Sequence, residues 1–229
     1  VRVVDPGIWL DDPRATGRVA LSDPARLAEA TGFSIVDDFA ARDLAQGGRG
    51  DSIDALALWL LLHDAKNARV AIDFRRKPRL VYLPASLDGS GAERMALDKI
   101  EVDSRPSAEQ VARRIRDWAP KTPPLRETIF LGNGEDERSA REIAEAIPEL
   151  STVEPVAIGI EPFAIDAAIT AALTLLHVDQ IPTGGSILTG GSAPRLLGRL
   201  TPGNPQHWRR LLRHMAEIQP ERLTLRAAI

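Results

Sequence analysis

Residues Gly32 to Gly50 read GFSIVDDFAARDLAQGGRG. Phe33 to Val36 is a short apolar run that predicts a strand, and two carboxylates, Asp37 and Asp38, stand directly behind it. The stretch closes on Gly47, Gly48 and Gly50, which lack a Cβ and let a backbone approach a ligand closely. In α/β folds the carboxyl end of a strand opens onto the ligand crevice, so Asp38, Asp43, Gly47 and Gly48 are expected to line the main cleft. The same residue types also make ordinary turns, and local features alone do not separate the two readings.

Working outward, Asp23-Pro24 predicts a helix start, with Asp23 as N-cap, Pro24 at the first helical position and Gly32 as the stop. Val1 to Val4 reads as a short strand and Asp11-Asp12-Pro13 as loop. Downstream, Asp51 or Ser52 caps a predicted helix reaching about Asp64. Ala68 to Asp73 and Arg79 to Leu83 alternate as the two arms of a hairpin, with a further strand expected within Arg94 to Val102. Ser107 to Trp118 predicts a helix capped by Ser107, Glu127 to Leu131 a strand, Asp136 or Ser139 to Ile147 a helix, and Val153 to Ile160 a strand. A strongly apolar helix is expected over Pro162 to Val178, and this helix and the one over Asp51 to Asp64 are expected to pack on the sheet through Leu56, Leu60, Ile169 and Leu173. Gly184 to Gly203 reads on composition as a linker, and a terminal helix is expected over 205–218. The alternation predicts a single α/β domain over 1–229, a mixed central sheet flanked by helices.

Composition narrows the function. Hydrophobic residues make up 44% and charged residues 27%, an ordinary globular balance. The formal net charge of -3 gives no field that draws a phosphate backbone, so nucleic acid is excluded as a partner class. With no cysteine there is neither a disulfide nor a thiolate metal site, and His63, His177, His207 and His214 lack ligand spacing, so no metal ligand is assigned. The longest apolar runs fall short of the ~20 residues that span a bilayer, and the chain reads as cytoplasmic.

The opening stretch resembles the segment DFRxxDVAAGGQGAPL of the anhydro-N-acetylmuramic acid kinases, with Asp38, Phe39, Asp43, Ala45, Gly47, Gly48 and Gly50 in register. Ser22-Asp23-Pro24-Ala25 with Thr31-Gly32 resembles that family's GDPAxIAxxTG, and Gly184 to Gly203 resembles its closing GNLPSVTGAxxPxVLGxxxPG. The resemblance implies the C-terminal lobe of an actin-like, hexokinase-like ATPase fold. It also implies ATP-dependent 6-phosphorylation of 1,6-anhydro-N-acetylmuramic acid in cell-wall recycling, with ATP and Mg2+ as cofactors. Asp38, Asp43, Gly47 and Gly48 are then the substrate-binding residues.

Departures from the family weaken that activity. Counting back from Tyr82-Leu83-Pro84 sets Asp73 to Arg79 against the family's phosphate loop NIGGIANLT, so that Arg75 and Arg76 replace its glycines. Asp98 is the catalytic candidate opposite FDTGPGN, but Lys99-Ile100-Glu101 stands where the glycine loop would follow. Gly132, Asn133 and Gly134 correspond to the nucleotide-side loop GGGAxN, with Glu135 and Asp136 behind them, and Ile169 replaces the glutamate of DAVEA. The family's glycine-rich GTSxDG loop has no counterpart, and a chain starting at Val1 is expected to lack an N-terminal lobe. A missing lobe or a separate chain is therefore an expected partner, a homo-oligomer is left open, and catalysis is expected to be impaired or absent. The alternative is a structural or partner-binding module on the kinase scaffold.

Overall fold

The larger sheet forms around the hairpin read from alternation: β4 (Ala68–Asp73) and β5 (Arg79–Leu83) pair antiparallel, Asp73 opposite Arg79. The computed structural model describes residues 7–12, 15–50, 52–75, 78–85, 96–100, 106–119, 124–132, 137–183 and 193–217. Beside this hairpin lie β6 (Ala96–Lys99), β7 (Leu125–Leu131) and β8 (Ser151–Val153), in the order β6-β5-β4-β7-β8. β6 is antiparallel to β5, whereas β7 and β8 run parallel to β4, so the sheet is mixed. The fold is α/β.

Side chains of successive residues point to opposite sheet faces, which places Ala68, Val70 and Ile72 with Leu80 and Tyr82 on one side. There they form a core with Val111, Ala112 and Ile115 of α4 (Ala108–Trp118) and with Ile143 of α5 (Glu137–Ala146). All six β4 residues are buried, so the other face is covered too. α4 starts where its sequence says: Ser107 Oγ accepts from Gln110 N at 3.2 Å, and Gln110 Oε1 accepts from Ser107 N at 2.8 Å, a reciprocal cap.

The chain reads as a single domain, and its described residues group into two compact units, one within 1–57 and 167–217 and one within 58–166. The five-stranded sheet belongs to the second. The first contains the hairpin β1 (Ile8–Asp12) and β2 (Ala15–Val19), α1 (Pro24–Thr31), β3 (Ile35–Asp37), α2 (Phe39–Leu44), β9 (Arg199–Thr201) and α7 (Pro205–Glu217). The chain crosses between the units within α3 (Ala55–Leu62) and α6 (Ile165–Val178). Asp23 caps α1 as expected, accepting from Ala25 N and Arg26 N at 3.0 and 3.1 Å, and Gly32 ends it with a left-handed φ of 71°.

Several sequence expectations shift. Asp11 and Asp12 belong to β1 instead of a loop, the strand at 33–36 begins at Ile35, and the expected strand from Val153 is cut short at Val153. Pro155 lacks the N–H a ladder needs and opens a 3-10 turn instead. The composition-based linker contains β9. The strand read at Val1 to Val4 lies outside the described residues.

Leu60 is also corrected: it is 39% exposed, while Leu58 and Leu62 are fully buried. α3 reads ALALWLLL, apolar on every side, so its sequence carries no periodicity to say which face turns outward. Leu173, at 0% exposure, is the better test of core packing. Leu173→Ala is expected to cost about 2 to 5 kcal/mol and Leu60→Ala well under half of that, both measured as urea midpoints. Equal losses at the two positions would refute this assignment of faces.

Candidate functional site

The opening motif folds around three carboxylates, each with its own partner. Asp37 ends β3 and is 1% exposed. It stands directly opposite Arg199 of β9, and its two oxygens accept from Arg199 Nη2 at 2.7 Å and Nε at 3.3 Å. The hydrogen bond to Asp37, reinforced by the charges of Asp37 and Asp38, holds the Arg199 guanidinium above its ordinary pKa. Asp38 turns the chain into α2 with a left-handed backbone, φ 58° and ψ 36°, a conformation that aspartate tolerates better than most L-residues. Its Oδ1 accepts from Arg18 Nη1 on β2 at 3.1 Å.

Asp43, on α2, is 3% exposed and ties the glycine loop back to the helix. Its Oδ2 accepts from Gly50 N at 2.8 Å, and its carbonyl accepts from the N–H groups of Gln46 and Gly48, both at 3.0 Å. A Cβ on Gly48 would stand 2.1 Å from that Oδ2, so the absence of a side chain at 48 is what makes room for the carboxylate. Gly47 has no atom within 4 Å of an added Cβ, so its side-chain position is open.

The two resembling ends of the chain meet here. Beyond the β3/β9 pairing, Gly203 N donates to Ser34 Oγ at 3.1 Å, Asn204 N to Gly32 O at 2.9 Å, and the His207 ring stacks on Phe33 with centroids 5.9 Å apart. Thr31-Gly32 and Thr201-Pro202-Gly203 therefore form one piece of structure.

In the other unit, the turn between β4 and β5 is closed by charge. Asp73, 2% exposed, accepts from Arg75 Nε at 2.9 Å and Nη2 at 2.8 Å, and from Arg79 Nε at 2.9 Å and Nη2 at 2.7 Å. Arg75 Nη1 also donates to Asp166 Oδ1 at 2.6 Å. The same Arg75 lines a small slot at the carboxyl ends of the parallel strands β4 and β7, with Phe130, Leu131, Gly132, Pro155, Pro162 and Ile165. Gly132 is thus the described part of the expected nucleotide-side loop. Asn133 and Gly134 lie outside the described residues.

Asp98 sits on the edge strand β6, three strand spacings or about 14 Å from β7. Both of its oxygens accept from Arg114 of α4. Asp38, Asp43, Gly47 and Gly48 stand together in one unit, whereas Asp98 and Gly132 lie in the other and apart from each other. Ile169, where the family has glutamate, is a core residue at 4% exposure. Among the described residues no three histidines, aspartates or glutamates form a group that could hold a metal ion, and no helix is long and apolar enough to cross a membrane.

The motif around Asp38, Asp43 and Gly50 is also where similarity to known proteins lies. Residues 9–75 match the family model of anhydro-N-acetylmuramic acid kinase. The resemblance read from the glycine motif is therefore borne out over this kinase-like segment. An anhydro-N-acetylmuramic acid kinase of Streptomyces avermitilis is 38% identical over 65 residues, which is 28% of this chain and 17% of that protein. One from Streptomyces coelicolor is 42% identical over 48 residues, 21% of this chain and 12% of the relative. The matched parts thus span less than a fifth of these relatives. The kinase-like segment includes Asp37, Asp38, Asp43 and the glycines, and ends at Arg75, the residue that closes the β4/β5 turn.

Reading the sequence missed three participants. Arg18 and Arg199 carry no local signal, because each gains its meaning only through a partner brought close by the fold. Asp73 was readable as the residue opening a phosphate-type turn, but its burial and its two arginines follow from the hairpin register, Asp73 opposite Arg79.

Proposed function

We propose that this chain is an anhydro-N-acetylmuramic acid kinase-like protein with the C-terminal lobe of an actin-like ATPase fold. In this reading the sugar-binding motif of the one unit is kept and the phosphate turn of the other is closed. The observation that carries it is the Asp73, Arg75, Arg79 and Asp166 cluster at the β4/β5 turn. Arg75 and Arg79 are engaged by the carboxylates of Asp73 and Asp166, so both guanidiniums are turned to protein groups instead of a polyphosphate. A phosphate loop instead presents several amide N–H groups to one anion, which long side chains at these positions prevent. Phosphoryl transfer, which needs in-line geometry as well as binding, is then impaired or lost, and ATP and Mg2+ are not held productively.

On the sugar side, Asp38 suits the part of a carboxylate facing a hydroxyl better than Asp98 does. One Asp38 oxygen is held by Arg18, whereas both Asp98 oxygens are engaged by Arg114. Asp43, Gly47 and Gly48 complete that side, Asp43 as the buried tie of the glycine loop. The location proposed is the cytoplasm, and a separate or preceding N-terminal lobe is the proposed partner.

Calorimetric titration of the chain with ATP and Mg2+ tests the closed phosphate side. No saturable binding tighter than ~100 μM, about -5.5 kcal/mol, is expected. Tighter binding would overturn this reading.

A further inference from the structure

We propose that Trp9 is the stacking face for a pyranose ring at the Asp38, Asp43 and Gly50 motif. This rests on the reading that the sugar side is kept. Trp9 lies on β1 directly opposite Arg18 on β2, so the two side chains share one face of the hairpin. Arg18 reaches down from that face to Asp38, and its side chain is only 5% exposed. The indole lies against Gly50: a Cβ there would come within 2.9 Å of Trp9 Cη2 and 3.0 Å of Leu44 Cγ. One ribbon face thus brings an aromatic ring and a cation onto the two ends of the carboxylate and glycine motif.

The indole is anchored along one edge but 44% exposed. Exposing so large an apolar surface forgoes the burial that usually places tryptophan, and aromatic walls with a few converging polar groups are the ordinary makeup of a small-ligand site. A pyranose matches this arrangement. Its C–H face is apolar and packs on indole, while its rim of hydroxyls donates to carboxylates. Asp38 has Oδ1 engaged by Arg18, which leaves Oδ2 to accept from a hydroxyl. Gly50, with no side chain, lets the indole edge pack directly on the backbone of the glycine loop.

The test uses the full chain with ¹⁵N-labelled indoles. Its four tryptophans give four indole N–H signals, and Trp9 is assigned by loss of its signal in Trp9→Phe. Titration with 1,6-anhydro-N-acetylmuramic acid is expected to shift the Trp9 signal saturably and leave those of Trp59, Trp118 and Trp208 in place. By calorimetry, Trp9→Ala is expected to bind this sugar about tenfold more weakly, some 1.4 kcal/mol. The amide spectrum of the variant checks its fold, and the indole shift in the unaltered protein is read independently of any variant. Sugar binding with an unmoved Trp9 signal would overturn the stacking role and leave the proposed function standing. No sugar binding at 10 mM would overturn both and favour the scaffold reading, since the sugar side itself would be lost. A Trp9 shift of equal size with ATP alone would overturn the assignment to a sugar.

Discussion

Arg75→Ala combined with Arg79→Ala is expected to destabilise the chain by about 3 to 5 kcal/mol, the range for leaving a buried charge without its partner. Asp73 is 2% exposed and receives every one of its side-chain-to-side-chain hydrogen bonds from these two arginines. Removing both guanidiniums leaves this largely buried carboxylate without its counter-charges. Adding Asp73→Asn should recover most of the loss, because the neutral amide no longer carries the charge whose desolvation dominates. Urea unfolding of the double and triple variants decides it. A loss under about 1 kcal/mol, or no recovery on adding Asp73→Asn, would show that the cluster is not what closes the turn.

Gly203→Ala is expected to cost about 3 kcal/mol, at the upper end of the range for overpacking. A Cβ at 203 would come 2.4 Å from Gly32 O, 2.4 Å from Phe33 C and 2.6 Å from Ser34 N. All three are backbone atoms, so no side chain can swing aside. Relief requires β3 and β9 to separate, which strains the Gly203 N to Ser34 Oγ and Asn204 N to Gly32 O bonds. Gly47→Ala is the comparison: its Cβ meets nothing, and only the left-handed φ of 79° opposes it, worth about 1 to 2 kcal/mol. Comparable midpoints for the two variants would remove the claim that the ends of the chain are locked together at Gly203.

Much of the fold was legible wherever the signal was local. The β4/β5 hairpin follows from alternation, and the helix starts at Asp23 and Ser107 follow from side chains that satisfy nearby N–H groups. Direction along an all-apolar helix is not local: α3 has no polar position to mark its outer face, and Leu60 went the wrong way for that reason. β9 was unreadable because a three-residue strand in a glycine- and proline-rich stretch owes its existence to β3.

The site divides along the same line. Asp38, Asp43, Gly47 and Gly48 are legible as candidates because they form a contiguous pattern. Asp98 was chosen by alignment, and the Arg114 that occupies it comes from the following helix. Trp9 carries no local signal, and its relation to Gly50 exists only once β1 and β2 pair.

The β3/β9 pairing also sets a timetable for synthesis on the ribosome. The strands of the five-stranded sheet all fall between Ala68 and Val153, whereas Val36 must wait for Leu200, 164 residues further on. At 5 to 20 residues per second that delay is roughly 8 to 33 s. Ile35 and Val36 spend it without their partner strand, on a nascent chain whose later sheet already has every strand it needs. Asp37, a charge at the end of this short apolar run, then acts against premature pairing with other chains, before it ever meets Arg199.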